Sequence, residues 1–205
     1  PSPSRRNADR GYADVALFEV GPKYSGDGDD GQAIVAAAIR TGQTGDRHWA
    51  HAPRPVDAWD AKADALAALE AAGAPVGNLQ VTTDAPGWYH PGRSGVLRLG
   101  PNALASFGDI HPSVLKAMDI EGPAVGNVVN LHLIPVPKQK KKSGGAAARP
   151  LLNLSPFQPV HRDFAFVVDA NVAAGEIVRS AAGVDKALIT DVQVFDVYEG
   201  EHVGA

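Results

Sequence analysis

The tract from Pro135 to Pro150 divides this chain before any element is assigned. Lys138-Gln139-Lys140-Lys141-Lys142-Ser143-Gly144-Gly145-Ala146-Ala147-Ala148-Arg149-Pro150 has no apolar period, concentrates like charge and ends in small residues. A run of that kind offers nothing to pack, so it reads as an interdomain linker over 136–150; contact with an RNA backbone is the other use of its cations. The flanking segments, 1–135 and 151–205, are then separate domains. At 205 residues the chain has room for one good core, or for one domain and a partial second.

Beyond the linker the pattern is strand, helix, strand. Phe164–Val168 is short, aromatic and β-branched, and it is bounded by polar or Pro-rich turns, which predicts a strand buried on both faces. Val172–Ala182 carries Val172, Ile177 and Val178 among small residues, with Gly183 at the C-cap, and reads as a helix. Asp191–Val194 alternates polar and apolar residues, as a half-buried strand does.

Ahead of the linker the signals are mostly β. Pro1–Gly11 is polar, and loose or helical. Asp14–Val20 reads as a strand, Gly21–Gly31 as a turn-rich loop, and Gln32–Arg40 as an apolar strand ended by Gly42. Asp57 caps a predicted helix to Ala72, with Trp59, Leu66 and Leu69 on one side and Gly73 as its stop. Asn78–Thr83 is a short strand. Val96–Leu99 and Leu104–Phe107 form a hairpin across Gly100-Pro101-Asn102. Pro112 opens a short helix to Met118, and Val125–Ile134 alternates as a last strand.

Composition limits the functional classes. Apolar residues are 44% and charged residues 20%, a globular balance. The net charge of −4 means that any nucleic-acid surface is a local patch. The absence of cysteine removes disulfides and thiolate metal sites and fits a reducing cytosol. The longest apolar run, Ala33–Ile39, is too short to span a bilayer, and Pro1–Arg10 is unlike a signal peptide. These features predict a soluble cytoplasmic protein without a membrane partner.

Two apparent site motifs fail on spacing. His48 and His51 have an H-x-x-H spacing beside Trp49, but Pro53 and Pro55 follow at once and no nearby carboxylate completes a ligand set, so a surface loop is the better reading. Asp27-Gly28-Asp29-Asp30-Gly31 imitates a calcium loop in the wrong register, and no Lys-Ser or Lys-Thr follows its glycines to make a phosphate cradle; a polar hairpin is favoured.

Several segments carry a family likeness. Pro159-Val160-His161-Arg162-Asp163-Phe164-Ala165 and Val194-Phe195-Asp196-Val197-Tyr198-Glu199-Gly200 resemble the start of the anticodon-binding domain in the β subunit of bacterial phenylalanyl-tRNA synthetase. Leu17-Phe18-Glu19-Val20-Gly21, Asp57-Ala58-Trp59-Asp60-Ala61-Lys62, His90-Pro91-Gly92-Arg93-Ser94 and Phe107-Gly108-Asp109-Ile110-His111-Pro112 resemble successive motifs of the same subunit's catalytic-like domain. Each alone is weak; their order across nearly the whole chain is what makes the resemblance.

That resemblance implies an α+β fold: a class II synthetase-like antiparallel sheet with flanking helices, then a truncated ferredoxin-like domain of order βαββαβ. It places the stretch in the C-terminal part of a longer subunit, with its first domain incomplete at the start and only the first half of the second. In βαββαβ order the third strand lies between the first and second, so Phe164–Val168 is expected to have a bare face here. The implied enzyme is an (αβ)₂ heterotetramer that uses ATP and Mg²⁺ to join phenylalanine to its tRNA.

Catalytic chemistry is not expected in this stretch. Active class II folds bind ATP through an Arg-x-Glu pair and a late Gly-rich segment with arginine; neither occurs here. In the family the α subunit does the chemistry, and magnesium ligands of the β subunit lie upstream. No catalytic or metal residue is therefore assigned, and this stretch is expected to bind neither ATP nor Mg²⁺.

His90, Gly92, Arg93 and His111 are candidates for α-subunit packing. Gly92 permits a positive-φ turn and Arg93 reaches acceptors across an interface, or else braces its own turn. His90 and His111 precede prolines and are expected at structural turns beside the sheet. Arg162 and Asp163 are the tRNA candidates: Arg162 meets phosphate or base edge and Asp163 fixes it, or the two form a structural pair. The family has two arginines before this Asp, whereas here His161 takes the first place. Phe195 and Tyr198 stack on bases or sit in the core. The alternative function is a free-standing interaction or RNA-binding paralogue without ligase activity; a small metal enzyme using the histidines is the remaining rival.

Overall fold

In the computed structural model the described residues are 3–12, 14–26, 28, 31–136 and 156–200. The chain clusters into two units, Pro1–Lys138 and Gln139–Ala205. Nearly all of the 136–150 tract lies outside the described residues.

The first unit is an α+β domain built on one six-stranded antiparallel sheet. Its strands are β1 (Val15–Tyr24), β2 (Gln32–Thr41), β3 (Gln80–Thr82), β4 (Tyr89–Leu99), β5 (Asn102–Ile110) and β6 (Ala124–Asn130). Their order is β1-β2-β6-β5-β4-β3, so the β1–β2 hairpin meets the later strands only through β6. Short helices α1 (Pro3–Ala8) and α3 (Pro112–Ala117) flank the longer α2 (Ala58–Ala71).

Helix α2 starts where its capping chemistry says it should. The Asp57 carboxylate accepts the backbone N–H groups of Trp59 and Asp60, and Asp60 reciprocates by accepting the N–H of Asp57. Its inward face is Ala61, Ala65 and Leu69 at four-residue spacing, all essentially inaccessible. Two alanines there let the helix lie close to the sheet, against Ala105 and Phe107 of β5 and Val125 and Val129 of β6. Ala105 pairs with Val129 and Phe107 with Asn127, so these residues share one face of the pleat. The expected Trp59 contact is not made: Trp59 is 70% exposed, with Lys62 Nζ 5.1 Å from its ring centre.

Several strands run past the limits that composition suggests. β1 continues through Gly21, Pro22, Lys23 and Tyr24 because these pair with Val35 back to Gln32. Ladder hydrogen bonds override the turn-forming character of Gly21 and Pro22; the β1 flank that carries Pro22 is the sheet edge, where a missing N–H costs nothing. β4 and β5 likewise extend to Tyr89 and Ile110, which places His90–Ser94 inside a strand rather than at a turn. β6 is shorter than expected, because Leu131–Leu133 close into a 3₁₀ turn.

The second unit departs from the strand expectations. Helix α4 (Ala174–Val184) forms and runs through Gly183 to a C-cap at Asp185. Neither Phe164–Val168 nor Asp191–Val194 is a strand; Phe164, Phe166 and Val167 are more than 60% exposed, and Val194 is 47% exposed. A strand is defined by its ladder, and among the described residues neither segment has a paired neighbour to supply one. The burial on both faces expected for Phe164–Val168 is not observed. None of the described helices is long and apolar enough to cross a membrane.

Candidate functional site

The two motifs around His90 and His111 meet at a bulge between β4 and β5. Tyr89 pairs with Ile110 and Ser94 with Gly108, so five steps along β4 are opposed by two along β5. The surplus holds His90-Pro91-Gly92-Arg93. Local hydrogen bonds fix its shape: His90 Nδ1 accepts the Gly92 N–H at 3.1 Å, and Ser94 Oγ donates to the His90 carbonyl at 2.7 Å. Gly108 makes room for the bulge. Its φ is +151°, and a Cβ there would stand 2.6 Å from both the Arg93 carbonyl oxygen and Ser94 Cα.

The bulge swings Arg93 over Asp109. Arg93 Nε lies 2.5 Å from Asp109 Oδ2, with the guanidinium side chain 60% exposed and the carboxylate side chain 20% exposed. Asp109 Oδ1 is buried and has no hydrogen-bond partner among the described residues, so Arg93 is the group that compensates this charge. Beneath it, Tyr89 is buried and its phenol donates to the Ser106 carbonyl at 3.4 Å. Burial holds that phenol above its ordinary pKa, against the smaller opposing pull of the hydrogen bond. His111 caps α3: its Nδ1 accepts the Ser113 N–H at 3.2 Å and stands 2.6 Å from Ser113 Oγ. Its backbone N–H donates to the Trp88 carbonyl at 2.8 Å. Arg93 is thus the one cation of this motif pair that faces solvent while anchored at its base.

Asp109 and Gly108 went unassigned in the sequence, although a glycine inside a strand pattern is the usual mark of a bulge or a close backbone approach.

The other candidates are not gathered. Arg162 and Asp163 are both exposed, and no ion pair joins them among the described residues; neighbours along extended backbone point to opposite sides. Phe195 and Tyr198 are 76% and 63% exposed, so the core reading fails for both, for want of a paired strand. No group of three or more His, Asp or Glu side chains among the described residues is arranged to hold a metal ion.

Four arginines of the first unit are already paired with carboxylates. Arg40 Nε and Nη2 donate to Asp64 at 2.6 and 2.7 Å, a fork between β2 and α2 that raises the Arg40 pKa. Arg54 forks onto Asp60, and Arg98 donates to Thr82 Oγ1 and pairs with Asp84. With Arg93 on Asp109, each of these four guanidinium groups is committed to a carboxylate of its own domain.

The family model of the phenylalanyl tRNA synthetase beta chain CLM domain matches residues 4–131. The chain belongs to that family. A second model, the ferredoxin-fold anticodon binding domain, matches residues 155–205. The chain is 54% identical over 200 residues to the phenylalanine–tRNA ligase beta subunit of Rhodospirillum rubrum, covering 98% of this chain and 24% of that protein. It is 52% identical to the same subunit of Paramagnetospirillum magneticum, covering 98% of this chain and 25% of the relative. The chain therefore spans about a quarter of the length of the curated relatives it matches. Among solved structures, pyrrolysyl-tRNA synthetase from Desulfitobacterium hafniense aligns at 20% identity and a TM-score of 0.45, over 62% of this chain and 43% of that one.

Proposed function

We propose that this chain works as part of the β subunit of a phenylalanine–tRNA ligase, in subunit packing and tRNA anticodon binding rather than in the chemical step. The observation that carries this reading is the 54% identity across 98% of the chain to a subunit of that name. Residues 1–135 form a non-catalytic, class II synthetase-like core, 136–150 the linker, and 151–205 the start of the anticodon-binding domain. The six-stranded antiparallel sheet with α2 across it is compatible with such a core.

In this reading the anchored, solvent-facing Arg93 meets carbonyls or carboxylates of the α subunit, with His90, Gly92 and His111 shaping the surface around it. The edge strand β1 supports a packing role, since Phe18 and Val20 are 83% and 57% exposed along it and an uncovered apolar edge is a liability. Arg162 and Asp163 lie on the RNA-facing side of the second unit. ATP and Mg²⁺ serve the complete cytoplasmic (αβ)₂ enzyme through its other parts.

The test is affinity capture of the full-length gene product, followed by the mass of the complex and phenylalanylation with and without the captured partner. A heterotetramer active only with both chains is expected. A monomer inert toward tRNA would leave the fold and take the function away.

A further inference from the structure

The loop between β2 and α2 is built like a presented hand. Its wrist is paired: Thr44 N–H donates to the Arg54 carbonyl at 2.8 Å, Arg54 N–H to Thr44 Oγ1 at 3.3 Å, and Val56 N–H to the Gly42 carbonyl at 3.0 Å. Gln43 bridges Pro55, and the Gln43 N–H donates to Asp14. Arg54, forked on Asp60, ties this wrist to the first turn of α2. Beyond the wrist the rings form a short staircase. His48 and His51 are stacked with centres 4.8 Å apart and planes at 26°, and His48 leans on Trp49 at 5.6 Å and 37°. The Ala50 N–H donates to His48 Nδ1 at 3.2 Å and holds the middle step in place. A concavity of about 450 Å³ opens between these residues.

Two features say what this tip takes. Trp49 is 92% exposed, the most exposed large apolar side chain described, yet the loop that carries it is pinned at both ends. Arg47, beside it, has no ion pair among the described residues, whereas Arg40, Arg54, Arg93 and Arg98 are all spent on carboxylates. An open aromatic face stacks any unpaired base, and an unspent guanidinium takes phosphate; together they are the parts of a single-stranded nucleic-acid contact. A protein partner is better matched by the aliphatic and aromatic face of β1, which carries no such cation and imidazole set. We propose that the Arg47–His51 tip is a second RNA contact, in which an unpaired nucleotide of bound tRNA stacks on Trp49 and Arg47 meets its phosphate. This rests on the tRNA-ligase reading above but assigns RNA contact to the first unit.

The test uses the full-length subunit purified with its captured partner, and tRNA as the probe. Trp49→Ala is expected to weaken tRNA binding at least fivefold, and Trp49→Phe to restore most of it, because one stacked base is lost and regained. Arg47→Ala is expected to lower the slope of log affinity against log salt by about 1. Phenylalanine-dependent pyrophosphate exchange without tRNA stays unchanged in all three. Binding by Trp49→Ala and Arg47→Ala equal to the parent overturns the proposal, as does dissociation of the partner by Trp49→Ala, which makes the tip a protein interface. A parent complex that binds no tRNA removes the underlying reading instead, and so distinguishes the two failures.

Discussion

Replacing Gly108 by alanine tests whether the bulge at Arg93 is held by close backbone contact. An alanine Cβ would stand 2.6 Å from Ser94 Cα and the Arg93 carbonyl oxygen, both backbone atoms that no rotamer change can move. The residue would also keep a φ of +151° that side chains avoid, a strain of about 1–3 kcal/mol. Overpacking adds about 1–3 kcal/mol, for a loss of about 2–6 kcal/mol in all. With an m-value of about 2 kcal/mol per molar urea, the unfolding midpoint falls by about 1–3 M. Gly122→Ala is the control: its φ is +84° but nothing lies within 4 Å of an added Cβ, so it bears the backbone strain alone, about 1–2 kcal/mol. Urea titration followed by tryptophan emission reads the correct unit, since Trp49, Trp59 and Trp88 all lie within it. If Gly108→Ala costs no more than Gly122→Ala, the bulge yields freely and Arg93 is not positioned by β5.

Two further outcomes follow from the packing of α2. Leu69→Ala, at a fully inaccessible position against the sheet, is expected to cost about 2–5 kcal/mol in the same titration. The acid limb of stability contains a contribution from Asp60, whose carboxyl is held below its ordinary range first by the Arg54 hydrogen bond. A lowered folded-state pKa stabilises above the unfolded carboxylate value near about 4, and that contribution is lost as pH falls through the folded value. Asp60→Asn should therefore be less stable than the parent at neutral pH, with the gap closing below about pH 4; a gap independent of pH would remove this account.

What was legible in the sequence was what local chemistry decides. Asp57, Asp60 and Gly73 bracket α2 because a cap and a stop act within one turn, and the helix lies between them. Pro112 opened α3 for the same reason. Strand limits were less legible, since Gly21–Tyr24 become strand only through partners further along the chain, on β2. At the candidate site, Arg93 stood out by its motif, but Asp109 became meaningful only once the bulge brought β4 across β5. The aromatic and β-branched run Phe164–Val168 shows the reverse failure: propensity named a strand, but a strand needs a neighbour, and propensity cannot provide one.

The strand order also has a consequence in time. β2 ends at Thr41 and its inner neighbour β6 begins at Ala124, about 80 residues later. At synthesis rates of about 5–20 residues per second, β6 is made roughly 4–16 s after the β1–β2 hairpin. Throughout that interval the flank of β2 that will pair with β6, from Val35 to Thr41, is an open ladder seeking a strand. The ribosome thus builds this domain from its outside edge inward, and the last strand made is the one that closes the sheet.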